Sequence, residues 1–146
     1  MSHIEQIPPE LTWRIRRQVL YPDQEFGKAV LDNDDEGMHL GLFHENKLIS
    51  VVSMFRNGNE VQFRKFATLE EYQSKGFGSE LLRYLMDLAV EEHSTLIWCN
   101  ARKTASGFYT KFGFSETEKT YHKDGHDFVI MEKMLNIVLF GPPGAG

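Results

Sequence analysis

The spacing of hydrophobic residues predicts a helix near the start of the chain, followed by extended segments. Leu11, Ile15 and Val19 recur at intervals of four, as on one face of an α-helix. Pro22 follows and ends this pattern. From Met38 onward large apolar residues fall on every second position, which is typical of a strand.

Three strands are expected in the region that follows. They run from Met38 to Phe43, from Leu48 to Phe55 and from about Glu60 to Thr68. A polar break at 44–47 separates the first two. Asn57-Gly58 separates the last two and is a strong hairpin signal, because both residue types tolerate positive φ.

The third strand carries an irregularity in its hydrophobic pattern. Val61 and Phe63 are two residues apart, but the next large apolar residue is Phe66. A β-bulge at Arg64-Lys65 would absorb this change of phase. Imperfect alternation in an ordinary strand would give the same spacing, and the pattern alone does not choose between them.

The second half of the chain continues with a helix and further strands. The helix has an apolar stripe made of Phe77, Leu81, Leu82, Leu85, Leu88 and Ala89. A nearly continuous apolar run at 95–100 predicts a central strand. Thr104 is expected to cap a short helix that Gly113 closes. Two final strands flank the turn at 123–126. The element order predicts a mixed, mostly antiparallel sheet flanked by helices, of the α/β (α+β) class.

Composition limits the function classes. The 146 residues carry a formal net charge of −5, so we expect no nucleic-acid partner. The local cluster Arg14, Arg16 and Arg17 is interpreted as a solvated helix face. Cys99 is the single cysteine and is interpreted as a buried structural thiol, so no internal disulfide is expected. The sequence shows neither a signal peptide nor an apolar stretch of membrane-spanning length. We therefore expect a cytoplasmic protein with no membrane partner.

The six histidines do not predict a metal site. His122 and His126 flank Asp124, and His39 and His44 lie near a hairpin, but neither set has the spacing of zinc ligands. They are interpreted as ordinary loop histidines, and no metal is expected.

The segment from Gln73 to Gly78 is the main candidate for chemistry. It precedes the strongest helix, whose first N–H groups have no partner within the helix and whose dipole favours an anion. Gly76 and Gly78 would let a phosphate approach the backbone. The segment predicts a diphosphate site, although a glycine-containing turn before a helix is an equally acceptable interpretation.

Two stretches resemble motifs of the GNAT superfamily of acyl-CoA-dependent N-acyltransferases. The run from Phe66 to Leu82, F-A-T-L-E-E-Y-Q-S-K-G-F-G-S-E-L-L, resembles motif A, and Gln73, Gly76 and Gly78 fill its Q/R-x-x-G-x-G/A signature. The run C-N-A-R-K-T-A-S-G-F-Y-T-K-F-G-F from Cys99 resembles motif B. With a short first strand near Ile4, the element order also matches the family's fold.

The resemblance implies an N-acetyltransferase that uses acetyl-CoA as co-substrate and acts on a small-molecule or peptide amine. Tyr109 would protonate the departing thiolate, Asn100 would lie near the acyl group or the amine, and an oxyanion donor would come from main-chain N–H near Ala67 or Thr68. Several family members have a glutamate where Gln62 stands here, so Glu60 is the candidate base, acting directly or through water. The implied cofactor-binding residues are Phe66, Ala67, Thr68, Gln73, Ser74, Lys75, Gly76, Phe77, Gly78 and Ser79.

Acceptor recognition in this family usually involves the first helix and the loop after it. That region, residues 8–37, is compatible with a cationic or a small polar acceptor. The resemblance leaves open a non-catalytic CoA-binding regulatory module as an alternative to an enzyme.

The C-terminal segment has a different character. Residues 1–135 are expected to form the acyltransferase domain, whereas 136–146 resemble the opening strand and P-loop of an adenylate kinase without the lysine and hydroxyl residue that bind phosphate and Mg²⁺. We expect a sequence boundary there, and the N-terminal part of an acetyltransferase–nucleotide kinase fusion is a further alternative. An apolar strand without a partner can add to a sheet edge or to a second subunit, and the second case would give a homodimer.

Overall fold

The computed structural model describes residues 1–135. The helices are α1 (Glu10–Leu20), α2 (Phe77–Glu91) and α3 (Ser106–Thr110). The strands are β1 (Ser2–Ile7), β2 (Met38–His44), β3 (Lys47–Asn57), β4 (Glu60–Thr68), β5 (Leu96–Arg102), β6 (Ser115–Lys123) and β7 (His126–Met134). Four short 3₁₀ turns lie at Phe26–Ala29, Asp34–Glu36, Glu70–Tyr72 and Lys103–Ala105. The predicted order of elements is confirmed.

The strands form one mixed sheet in the order β1-β2-β3-β4-β5-β7-β6. The β4–β5 pair is parallel, with Glu60–Gln62 opposite Leu96–Trp98. The pairs β1–β2, β2–β3, β5–β7 and β6–β7 are antiparallel. The mostly antiparallel sheet and the central position of β5 are confirmed.

The chain divides into two compact units. The first comprises Met1–Phe55 and Phe63–Leu88, and the described part of the second comprises Arg56–Gln62 and 89–135. The first unit is built on α1, β1–β3 and most of α2. In its core the α2 stripe is fully buried at Leu81, Leu82 and Leu85, as the helical spacing predicts.

The second unit is organised around β5 and β7. Ile97, Cys99 and Ala101 alternate along one face of β5, and all three are buried. Val129 and Met131 of β7 are also fully buried. Alternation of this kind is expected for a strand whose one face contributes to a core. Cys99 is a buried thiol, as predicted.

The irregularity in β4 falls at Lys65, where the backbone favours a bulge over an imperfect strand. This residue adopts φ of +56°, in the left-handed region that side chains with a Cβ rarely enter. The rings of Phe63 and Phe66 meet edge to face at 6.3 Å between centroids. The two rings therefore pack against each other across the irregularity at Lys65.

Three local predictions are wrong. The hairpin between β3 and β4 turns at Gly58-Asn59, one residue later than predicted, and only Gly58 has positive φ, at +64°. Ala105, not Thr104, occupies the N-cap of α3, and no side chain caps that helix. The interpretation of His39 as an ordinary loop histidine fails, because it lies in β2 with only 2% of its surface exposed.

Candidate active site

The loop before α2 has the backbone geometry of an anion-binding segment. Ser74 and Gly76 adopt φ of +61° and +90°, both in the left-handed region. The first helical hydrogen bond runs from the N–H of Glu80 to the carbonyl of Gly76, at 3.0 Å. The N–H groups of Phe77, Gly78 and Ser79 therefore belong to the first turn, where no carbonyl within the helix accepts from them. Such a turn attracts an anion.

The side chain of Gln73 ties this loop to the end of β4. Its Nε2 donates to the carbonyl of Thr68 at 2.8 Å. Thr68 is held from the other side by a hydroxyl contact of 2.7 Å with Ser50, and the Ser50 hydroxyl also donates to the carbonyl of Ala67 at 3.2 Å. The glutamine of the signature thus fixes the strand end, while the backbone that follows it forms the loop.

Gly78 is the position at which α2 passes close to β4. A Cβ added there would lie 3.6 Å from the ring of Phe66 and 3.7 Å from the hydroxyl of Thr68. These are ordinary contact distances, so a methyl group fits but a longer side chain would extend toward Phe66 and Thr68. The two signature glycines consequently differ in function: Gly76 provides positive φ, and Gly78 provides space.

Aromatic side chains support the loop. The ring of Phe77 lies 4.9 Å from that of His44 and 6.1 Å from that of Tyr72, between centroids. Phe77 therefore packs through its side chain, and only its backbone is available as a candidate ligand. Lys75 is exposed, whereas Ser79 is partly buried.

Tyr109 lies in the second unit, on α3. Its ring contacts those of Phe108 and Phe114 at 5.2 and 6.0 Å between centroids. Burial, together with the charge that an ionised Cys99 would carry, raises the pKa of Tyr109 well above its ordinary value. The phenol therefore keeps its proton at neutral pH. Burial raises the pKa of Cys99 to about 12, which makes this thiol unreactive.

The pairing of β4 with β5 places Glu60 and Asn100 at different positions along the strands of the second unit. Glu60 lies opposite Leu96, and Gln62 lies opposite Trp98. Four residues of β5, about 13 Å of strand, separate Leu96 from Asn100. Asn100 and Glu60 are both exposed. Glu60 is thus available to solvent but is not adjacent to Asn100.

A buried polar network in the first unit was missed from the sequence. Arg16 was expected on a solvated face, yet its side chain is completely buried. It donates to Asp34 Oδ2 and Oδ1 at 2.9 and 3.0 Å and to the carbonyl of Ala29 at 2.8 Å. Asp34 also accepts from the indole N–H of Trp13 and the N–H of Leu31, each at 3.0 Å.

His39 completes this network. Its Nε2 lies 2.8 Å from the carbonyl of Asp34 and must be the donor there. Its Nδ1 lies 2.7 Å from the hydroxyl of Ser53, which in turn accepts from Arg16 at 2.8 Å. The network joins α1, the 3₁₀ turn at Asp34–Glu36 and strands β2 and β3. Sequence spacing gives no signal for it, because its members come from four separate elements.

The other two arginines of the cluster line a surface groove. Arg14, Arg17, Gln18 and Phe26 surround a volume of about 340 Å³. The ring of Phe26 is 52% exposed and meets Trp13 edge to face at 6.4 Å. Within the described residues neither arginine has an acidic side chain at ion-pair distance.

Residues 1–135 contain no group of three or more His, Cys, Asp or Glu side chains placed to hold a metal ion. His122 instead pairs with Asp127 at 2.8 Å on an exposed hairpin. Among the helices that the structure describes, none has the length and apolar character needed to span a membrane. The P-loop-like segment 136–146, and the dimerisation predicted from it, lie outside the described residues.

Comparison with known proteins decides the family. The family model described as an acetyltransferase (GNAT) domain matches residues 15–135. The chain belongs to the GNAT superfamily. It is accordingly an acyl-CoA-dependent acetyltransferase, and the fold and family expected from motifs A and B are confirmed.

Individual GNAT proteins resemble the chain over most of its length. The uncharacterized N-acetyltransferase YitI of Bacillus subtilis is 30% identical, over 92% of this chain and 97% of that protein. The [ribosomal protein bS18]-alanine N-acetyltransferase of Haemophilus influenzae is 27% identical, over 84% and 86%. The crystal structure of a Bacillus subtilis acetyltransferase in complex with CoA superimposes with a TM-score of 0.72 at 17% identity, over 93% of this chain and 100% of that one.

Proposed function

We propose that this GNAT protein transfers an acetyl group from acetyl-CoA to a primary amine by direct attack of the amine on the thioester. The observation that carries the proposal is the loop from Gln73 to Ser79, whose two positive-φ residues lead into the first turn of α2. That arrangement suits the two phosphates of a CoA diphosphate. A GNAT relative that acts on an alanine of a ribosomal protein, and a GNAT neighbour solved with CoA, both agree with the proposal.

The cofactor residues divide into two groups under this proposal. The backbone of Gln73, Ser74, Lys75, Gly76, Phe77, Gly78 and Ser79 would hold the diphosphate. The backbone of Phe66, Ala67 and Thr68 would pair with the pantetheine arm, and an N–H of Ala67 or Thr68 would serve as oxyanion donor. The hydrogen bond from the Gln73 side chain to the Thr68 carbonyl supports this assignment, because it holds the loop next to the end of β4.

The chemistry of transfer needs little from the protein beyond alignment and proton movement. The thioester is already activated, so the enzyme gains rate by placing a neutral amine against its carbonyl. The amine nitrogen forms a bond to the carbonyl carbon, the C–S bond breaks, and the thiolate takes a proton. Tyr109 is the proposed donor of that proton. Burial raises its pKa, so the phenol holds its proton before the thiolate departs.

Asn100 and Glu60 complete the proposed catalytic residues. Asn100 is exposed, two residues before the end of β5, and would orient the acyl group or the amine. Glu60 would accept the proton of the amine. Its position opposite Leu96, four residues along β5 from Asn100, favours a water-mediated route over direct contact.

Titration with acetyl-CoA, followed by calorimetry, tests the proposal. Wild-type protein should bind, and Gly78→Glu should not, because its side chain would extend toward Phe66 and Thr68. Gly27→Glu is the matched control, since nothing lies within 4 Å of a Cβ at that position. Ligand at about a hundred times its Kd raises the free energy of unfolding by about 2.7 kcal/mol, so melting curves give an independent measurement.

Two results would contradict the proposal. Equal binding by wild type and Gly78→Glu would exclude the loop as the diphosphate site. Tight binding without CoA release, across a panel that includes small amines, free amino acids and peptide N-termini, would instead favour the non-catalytic CoA module.

A further inference from the structure

The outer side of helix α1 carries Arg14 and Arg17, which we call the basic stripe. The third arginine of the cluster belongs to the buried network. Of the three clustered arginines, Arg16 points inward and is neutralised by Asp34. Arg14 and Arg17 lie on the other side of the helix, where Arg14 is exposed and Arg17 is partly exposed. The sequence places Glu10 one turn before Arg14 and Glu25 next to Phe26, but neither carboxylate forms an ion pair with these arginines in the described part of the chain.

The stripe continues to the bulge of β4. Tyr21 follows the end of α1, four residues after Arg17 and on the same side of the helix. The ammonium of Lys65 donates to the Tyr21 hydroxyl and lies 5.0 Å from the centroid of its ring. Lys65 has positive φ, so the contact with Tyr21 starts from the irregular position of β4. Three cationic groups, on Arg14, Arg17 and Lys65, therefore follow one surface path.

The length of that path suits a peptide rather than a single amino acid. Seven residues separate Arg14 from Tyr21, which is about 10 Å of helix. An extended peptide covers this distance with about three residues. The groove at the far end has one exposed aromatic ring, Phe26, and two guanidinium groups. Guanidinium forms its strongest hydrogen bonds with carboxylates, and the ring can cover the stem of a bound side chain.

We propose that the acceptor is the N-terminus of an acidic polypeptide, with an acidic side chain about two to four residues after the amine. The proposal rests on the acetyltransferase function proposed above, because it places the amine beside Lys65 and the adjoining Phe66. Arg14 and Arg17 bind the acidic side chain, and Phe26 packs against it. The same positive charges disfavour a basic acceptor. This differs from the sequence-based expectation, in which residues 8–37 are compatible with a cationic acceptor.

The test compares two peptides that differ only in charge, Ala-Ala-Glu-Glu-Ala-Ala and Ala-Ala-Gln-Gln-Ala-Ala, with CoA release as the readout. Wild-type protein should prefer the glutamate peptide about tenfold in kcat/KM, the sum of two favourable charged contacts. The double variant Arg14→Gln/Arg17→Gln should lose this preference, so that its kcat/KM values for the two peptides become equal. The matched control Lys119→Gln/Lys123→Gln removes two exposed charges from β6 and should keep the preference.

The preference of the wild type should also shrink as ionic strength rises, because exposed charges are screened. Equal kcat/KM for the two peptides, or a preference that survives in the Arg14/Arg17 double variant, would overturn the proposal. Free glutamate acetylated as well as the glutamate peptide would overturn the assignment of a polypeptide acceptor. CoA release with small amines but with neither peptide would overturn this proposal alone. No CoA release with any amine, whether or not acetyl-CoA binds in calorimetry, would mean failure of the acetyltransferase function instead.

Discussion

Arg16 and Asp34 form a two-pronged ion pair inside the first unit, with Nη1 bonded to Oδ2 at 2.9 Å and Nη2 bonded to Oδ1 at 3.0 Å. The Arg16 side chain is fully buried and that of Asp34 is 4% exposed. Removing one partner leaves the other as an uncompensated buried charge. The pair therefore constrains the path of the chain between α1 and β2, where residues 21–37 have no long helix or strand.

Arg16→Leu should lower the free energy of unfolding by about 3–5 kcal/mol, because it leaves the buried Asp34 carboxylate without a compensating charge. Arg14→Leu, two residues earlier on the exposed side, is the matched control and should change it by less than about 0.5 kcal/mol. Urea unfolding followed by circular dichroism measures both. Equal effects of the two substitutions would show that the buried pair adds no special stability.

Stability should depend on the ionisation of Asp34. Burial raises the pKa of Asp34, but hydrogen bonds from Arg16, Leu31 and Trp13 and the charge of Arg16 outweigh burial and leave that pKa below its ordinary 3.8. A lowered folded-state pKa contributes stability above the unfolded-state pKa, and the contribution is lost as pH falls through the folded value. The stability advantage of wild type over Asp34→Asn should therefore shrink below pH 3.8. Wild type should differ little in stability from Asp35→Asn, a substitution at an exposed neighbour, over the whole pH range.

Cys99 should resist alkylation while the protein is folded. Its pKa rises from 9.0 to about 12 on burial, so at pH 8 the thiolate is about a thousandfold scarcer than in an ordinary cysteine. Because the chain has one cysteine, incorporation of iodoacetamide measured by mass spectrometry reports this site alone. Rapid labelling without denaturant, at the rate seen in urea, would contradict the burial.

Gly76→Ala should weaken acetyl-CoA binding and also destabilise the fold. Its φ of +90° is costly for a residue with a Cβ, at about 1–2 kcal/mol, and relief of that strain would redirect the loop N–H groups. Gly58→Ala is the matched control, since Gly58 also has positive φ but lies in the β3–β4 hairpin. Both variants should melt earlier, and only Gly76→Ala should lose affinity in calorimetry. Loss of affinity in both would point to general destabilisation instead.

Tyr109→Phe should lower kcat by about 10²–10⁴-fold, the usual contribution of a general acid. Binding of acetyl-CoA should remain, because the hydroxyl is proposed to act on the departing thiolate only. Tyr84→Phe, at an exposed tyrosine of α2, is the control. Since the pKa of Tyr109 is raised, loss of its proton should not limit the rate up to pH 9. A Tyr109→Phe enzyme with unchanged kcat would exclude the proposed role.

The arrangement of elements followed from the sequence because it depends on local spacing. The two-residue spacing of Val61 and Phe63 and the helical stripe from Phe77 to Ala89 each reflect one face turned to a core, and both elements have the predicted positions. The irregular spacing at Arg64-Lys65 was visible too, but a bulge and an imperfect strand accounted for it equally well. Boundaries set by single turn residues, such as Gly58-Asn59, shifted because neighbouring positions have similar turn preferences.

The candidate site was predictable only in part. The loop at Gln73–Gly78 was found because glycine has distinctive backbone freedom and the helix start was clear. The role of the Gln73 side chain was not, since its partner is a carbonyl five residues away whose position depends on the whole strand. The offset of Glu60 from Asn100 likewise required the register of β4 against β5, which no local pattern encodes.

The sequence by itself determined the order of elements, the position of the glycine-containing loop before α2 and the family, because periodicity and glycine placement act over a few residues. Only the tertiary structure decided which arginine of α1 is buried. Arg14, Arg16 and Arg17 are chemically alike, and their difference comes from Asp34, Ser53 and Ala29, which lie 13 to 37 residues further along the chain. Burial of a charge depends on partners brought together by folding, so the division of this cluster into a structural arginine and a basic surface became visible only in the folded chain.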